Sequence, residues 1–170
     1  MVSLSGQFHI LLMVLLAAIL GALIGLERER ANKPAGARTQ SLVAAAASMV
    51  VSAGAVIDQI HNTGDPTRAM HAVITGIGFL GAGIMSGGGK WAGRGITTAT
   101  TVFTTAAIGC IVGLDMPITG LGATVIVLIS LRLGRILKKV VKRDDIDEPI
   151  SRKDSIVSDD WLDEETIDGD

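Results

Sequence analysis

The chain has 170 residues, of which 48% are hydrophobic and only 19% are charged, with 21 glycines and one cysteine. Charged residues make up about a quarter of an average soluble domain, and here they stand in short clusters and in an acidic tail that holds 12 of the 17 Asp and Glu residues. The clusters alternate with uncharged apolar segments of about 14 to 19 residues, close to the length that crosses a bilayer. This pattern excludes a soluble globular domain, and the lone Cys110 excludes an intrachain disulfide.

The first apolar segment, Phe8 to Leu26, predicts a transmembrane helix. No Lys or Arg precedes it, although a secretory signal requires a basic start, so we expect the helix to be retained. A charged cluster follows from Glu27 to Gln40, in which Pro34 and Gly36 indicate a turn. A second helix is predicted over Ser41 to Ile57.

Three further spans follow in chain order, at Met70 to Met85, Ile96 to Leu114 and Pro117 to Leu131. The last span is short, but Arg132 and Arg135 can reach the lipid headgroups with their charged ends, which extends the helix toward Leu137. The sequence therefore predicts an all-α polytopic membrane bundle of about five transmembrane helices.

Basic residues alternate between the two sides of the predicted bundle. Counted over connectors and tail, fourteen of the 15 Lys and Arg residues lie on one side, and only Arg68 lies on the other. Because short cytoplasmic loops carry the excess of Lys and Arg, the N-terminus is predicted outside and the C-terminus in the cytoplasm.

The end of the chain changes from basic to acidic at Asp144. Its high charge and few apolar residues predict a largely disordered segment. We therefore divide the chain into a transmembrane domain, residues 1–137, and a basic-then-acidic cytoplasmic tail, residues 138–170.

Glycines crowd the third span and recur at four-residue spacing in the first and fourth. The segment Gly76 to Gly81 matches a dinucleotide-binding fingerprint as a string, but it lies in a membrane span rather than after a strand, which argues against a nucleotide site. Small residues let membrane helices approach closely, so the predicted helix-packing residues are Gly76, Gly78, Gly81, Gly83, Gly109 and Gly113. A broken or re-entrant third segment that lines a cavity is the alternative.

Polar residues inside and beside the spans allow few functional sites. Thr97, Thr101 and Thr104 share a helix face, where their hydroxyls either bond back to their own helix or line a polar surface. Asp58, His61 and Asp65 would approach one cation only if their connector were helical, and the nearby Gly64 and Pro66 favour a solvated loop. No ionisable residue stands in the middle of a span, where ion pathways are usually marked. Nothing pairs a nucleophile with a base, so we expect no enzyme, cofactor, metal or nucleic-acid site.

Three motifs, in order, resemble those of the MgtC/SapB family. They are Gly25 to Glu29 with Lys33 to Thr39, Asp65 to Arg68 with Thr75 to Gly83, and Gly95 to Ala99 with Ala106 to Gly109. The resemblance covers about Leu16 to Leu131. It is to the short branch of the family, because the residues that follow are too few for the C-terminal ACT-like domain of other members.

The resemblance implies a multi-pass protein of the bacterial inner membrane, linked to magnesium limitation and to virulence. It implies a regulator that modulates another membrane complex, with the bilayer, that complex or a second copy as partners. An oligomeric Mg²⁺ transporter or channel and a passive assembly factor are the alternatives. The functional residues it implies are Glu27, Arg28, Arg38, Thr39, Asp65, Arg68, Thr97 and Thr98. Glu27 and Arg38 are expected to pair, and Asp65 and Pro66 to cap the third helix.

Overall fold

The computed structural model describes residues 3–61, 67–86 and 95–144, with side chains up to Gly134. Five α-helices make up these residues: α1 Leu4–Arg30, α2 Ala37–His61, α3 Arg68–Ser86, α4 Gly95–Gly113 and α5 Pro117–Asp144. Each contains a segment long and apolar enough to cross a membrane. The prediction of five spans is confirmed, while the orientation and the division at residue 137 stay predictions.

Two helices end in the same backbone arrangement. After α1, Asn32 adopts a positive φ of 51°, its N–H bonds to the carbonyl of Glu29 at 2.9 Å, and the Lys33 N–H bonds to that of Arg28 at 3.0 Å. This pair of bonds is a Schellman motif, which satisfies carbonyls that a helix end leaves open. After α4, Asp115 takes the same role with a φ of 62°, and Pro117 then starts α5. Both turns reverse the chain within a few residues.

Helices α1, α2 and α4 approach one another through glycines. A Cβ added to Gly21 would collide with the Gln40 carbonyl and lie 2.9 Å from Ala44 Cβ. One added to Gly109 would collide with the Ala44 carbonyl, and one added to Gly113 would lie 2.7 Å from the Ser48 carbonyl. The backbones therefore meet where no larger side chain fits, which is how small residues bring membrane helices together.

Two apolar clusters form the interior. One joins α1, α2, α4 and α5 around the fully buried Ile24 and Val112, and the other joins α2, α3 and α4 around Val51 and Val102. Helix α3 lies at the edge, since Ile77 is its only buried residue. Large apolar side chains such as Phe79 and Ile118 point outward, as expected for surfaces that face lipid.

Candidate functional site at the arginine end of the bundle

The turn between α1 and α2 places several polar residues at one end of the bundle, which we call the arginine end. The Glu29 carboxylate accepts a 2.9 Å hydrogen bond from the Ala37 N–H, the first of α2. Gly36 lies directly against the Glu29 side chain, where a Cβ would collide with it. Because the first N–H groups of a helix lack intrahelical partners and carry partial positive charge, this carboxylate stabilises the start of α2.

Replacing Glu29 by alanine is expected to lower the free energy of unfolding by about 0.5–2 kcal/mol, as for other lost caps. Glu29→Gln keeps an acceptor oxygen and should retain most of that stability. Thermal unfolding of the two purified variants in detergent measures the difference. Equal losses would show that the hydrogen bond to Ala37 contributes little.

Arg28 is a buried charge of the arginine end. Its side chain is 4% exposed, and Nη2 donates a 2.8 Å hydrogen bond to Oγ1 of the buried Thr98. The bond joins the last turns of α1 to the first turn of α4, across 70 residues of sequence. A charged donor gives a stronger hydrogen bond than a neutral one, so this contact fixes the two helix ends relative to each other.

Glu27 is also 4% exposed, and its Oε2 lies 4.0 Å from Nε of the exposed Arg132 on α5. Arg38, the partner expected from the sequence, is instead exposed in the first turn of α2, next to the exposed Thr39. The arginine end therefore has two layers: Glu27, Arg28 and Thr98 are buried, and Arg38 and Thr39 lie on the surface.

Gln40 belongs to the same end and was not predicted as functional. It is completely buried one turn into α2. The sequence could have indicated this position, because Gln40 is an amide beside the apolar residues of the second span. A polar side chain in a membrane helix usually faces the protein interior.

The remaining predicted residues lie apart from this cluster. Thr97 and Arg68 are exposed, at the starts of α4 and α3, and Asp65 lies outside the described residues together with the cap expected of it. The structure thus brings Arg28 and Thr98 into contact and buries Glu27, the residue before Arg28.

The predicted packing glycines divide into two groups. Gly109 and Gly113 contact the backbone of α2, and a Cβ on Gly81 would lie 3.9 Å from that of Ala99. Around Gly76, Gly78 and Gly83 a Cβ would meet nothing within 4 Å. Packing at these three against another molecule stays a prediction. Helix α3 itself is uninterrupted from Arg68 to Ser86, so the alternative of a broken segment finds no support there.

Three of the six threonines of α4 bond within their own helix. Thr100, Thr101 and Thr104 donate to carbonyls three or four residues earlier, at 2.6 to 3.0 Å. Of the two interpretations of the threonine face, these bonds favour hydroxyls that bond back to their own helix over a polar lining. Thr98 is different, because its oxygen accepts from Arg28.

At the opposite end, one polar contact joins distant parts of the chain. His9 Nε2 lies 2.8 Å from the carboxylate of Asp115, the positive-φ residue between α4 and α5. Both side chains are exposed.

The described residues include no group of three His, Cys, Asp or Glu side chains placed to share a metal ion.

Five apolar helices with a buried charged cluster at one end define a multi-pass integral membrane protein. Residues 14–140 match the model of the MgtC family, and the chain belongs to that family. Its bacterial relatives and its five apolar helices place it in the bacterial inner membrane.

Individual relatives are similar over most of this chain. An uncharacterised protein of Haemophilus influenzae is 38% identical over 138 residues, which cover 76% of this chain and 57% of that protein. Protein MgtC of Salmonella typhimurium is 38% identical over 122 residues, 72% of this chain and 51% of that protein. Protein SrpB of Synechococcus elongatus is 35% identical over 142 residues, 75% of each. The chain thus spans about half the length of the first two, and no solved structure matches it.

Proposed function

We propose that this protein is a non-enzymatic regulator of the inner membrane that adapts the cell to magnesium limitation by modulating another membrane complex. The observation that carries the proposal is the two-layered arginine end. A buried arginine, hydrogen-bonded to Thr98 at 2.8 Å, holds α1 and α4 together beneath a surface that presents Arg38 and Thr39. Charged groups on such a surface favour recognition of a complementary partner.

The basic residues predict that this end faces the cytoplasm, so the proposed partner surface is cytoplasmic. Similarity to proteins named MgtC supports a link with magnesium. The polar residues described here gather at the helix ends and at interhelical contacts. They suit recognition and anchoring better than transfer of a hydrated cation.

Reversing the charge of Arg38 tests the proposed surface. In cells lacking their own copy, we expect the wild-type protein and Arg38→Lys to restore growth at low magnesium, and Arg38→Glu to fail at an equal amount of protein in the membrane. Because Arg38 is exposed, the substitution should change stability by no more than about 0.5 kcal/mol. Growth supported equally by Arg38→Glu would rule out a role for this charge.

Magnesium uptake into liposomes that contain only the purified protein separates regulation from transport. We expect no uptake above that of empty liposomes. Uptake that Asp65→Ala abolishes would identify a divalent-cation transporter and overturn the regulatory proposal.

A further inference from the structure

Three buried polar side chains near the contact of α2 with α4 have no hydrogen-bond partner among the described residues. They are the amide of Gln40, through both Oε1 and Nε2, and the hydroxyls of Thr105 and Ser48, and all three residues are 0% exposed. Each buried polar group without a partner costs about 1–3 kcal/mol. In a membrane, lipid offers no replacement partner, so three such groups in one bundle indicate a ligand between the helices.

The glycine contacts fix the register that relates these residues. Gly109 of α4 meets the backbone of α2 at Ala44, and Gly113 meets it at Ser48, so the two helices run in the same direction. Gln40 lies four residues, or one helical turn, before Ala44, and Thr105 lies one turn before Gly109. They therefore lie at the same level and on the facing stripes of the two helices.

Ser48 continues the stripe of α2, two turns beyond Gln40. One turn further, the Ser52 hydroxyl donates a 3.0 Å hydrogen bond to the Gly113 carbonyl. The polar stripe is thus satisfied by direct bonding at its far end, while Gln40, Thr105 and Ser48 are not. Side chains that are level and facing, yet do not bond directly, are the setting in which water bridges polar groups.

The donor and acceptor inventory identifies the ligand. Gln40 offers a carbonyl oxygen and an NH₂ group, and each hydroxyl both donates and accepts. Water satisfies both kinds of group. A cation would bind only the oxygens and leave the NH₂ group without a partner. Like charge would also disfavour it, because Gln40 contacts Gly21 of α1 and Arg28 follows Gly21 by only two helical turns.

We propose that α2 and α4 hold bound water on both sides of the close contact between Ala44 and Gly109. One site bridges Gln40 to Thr105, and the other lies at Ser48. Ser48 lies eleven residues from the start of α2, or about 16 Å along the helix, about half of a hydrocarbon core of about 30 Å. Ser48 would thus bind water near the middle of the membrane, whereas the site at Gln40 and Thr105 lies one contact closer to the arginine end. Water at the latter site places mobile dipoles near Arg28, which reduces the cost of keeping that charge between helices.

Proton exchange of single thiols tests the site without requiring space for a labelling reagent. In a Cys110→Ala background, Thr105→Cys is compared with Val102→Cys, three residues earlier on α4. Both original residues are buried, and both substitutions remove one branch at Cβ. Infrared spectroscopy follows conversion of S–H to S–D after transfer into D₂O.

We expect Thr105→Cys to exchange at least about ten-fold faster than Val102→Cys, because transient opening of α4 would expose both thiols alike. Equal rates, fast or slow, would overturn the proposal. Ser48→Cys and Ala47→Cys, adjacent on α2 and both buried, form a second pair should the first fail to fold. A faster Ser48→Cys is expected there, and equality again argues against bound water. Neither pair depends on the regulatory function.

Discussion

Replacing Gly109 by alanine is expected to destabilise the bundle by at least about 2 kcal/mol. The added methyl would collide with the Ala44 carbonyl and lie 2.9 Å from Ala47 Cβ. A backbone carbonyl cannot swing aside as a flexible side chain can, so α2 and α4 must separate. Separation weakens the dispersion contacts of neighbouring buried groups, such as Val51 and Val102. Alanine is the better helix former by about 1 kcal/mol, and this gain opposes the collision without cancelling it.

Gly76→Ala is the matched control, because the same change occurs inside another apolar helix where a Cβ meets nothing within 4 Å. Its expected effect is neutral, or a gain of up to about 1 kcal/mol from helix propensity. Thermal or SDS-induced unfolding of both variants in one detergent compares them. A Gly109→Ala protein as stable as Gly76→Ala would refute the close approach of α2 to α4. Destabilisation by Gly76→Ala instead would indicate a partner molecule packed on α3.

The five spans were predictable because membrane helices need long uncharged segments, and the charged clusters mark where those segments stop. The ends of the helices were less predictable than the spans. Helix α1 extends to Arg30, past the apolar segment that ends at Leu26. Charged residues can remain helical when the fold buries or bonds them, as it does for Glu27 and Arg28. Hydropathy alone cannot show that.

The sequence named several residues of the candidate site, whose function stays a prediction, but it did not indicate how they are arranged. Motif resemblance selected Glu27, Arg28, Arg38 and Thr98 without indicating that Arg28 and Thr98 would meet. That contact depends on how α1 and α4 are placed relative to each other. Both helices pack on α2 through glycines, Gly21 on α1 and Gly109 on α4, and these contacts determine the placement. The four-residue glycine spacing occurs on several surfaces of the chain. Only tertiary structure shows that Gly109 has a facing backbone and Gly76 has open space.

Replacing Arg28 by methionine is expected to lower the free energy of unfolding by about 1.5–3 kcal/mol, the usual contribution of a hydrogen bond from a charged group. Methionine retains much of the apolar stem, so the change isolates the guanidinium. It leaves the buried Thr98 oxygen without its donor, and it removes the positive charge of the residue that follows the buried Glu27. The substitution also removes a charge that was costly to bury, and this raises the free energy of unfolding. Because the two effects oppose each other, the hydrogen bond is measured with a second substitution.

Thr98→Val supplies that comparison through a double-mutant cycle. If the 2.8 Å hydrogen bond stabilises the fold, the double variant should be more stable than the sum of the two single losses predicts, by about 1 kcal/mol or more. Strict additivity would show that Arg28 and Thr98 contribute independently. Arg38→Met removes the same charge from the exposed layer, and it should leave the unfolding midpoint unchanged while impairing growth at low magnesium. A fall in stability as large as that of Arg28→Met would contradict the two-layered arrangement, because both arginines would then belong to the fold.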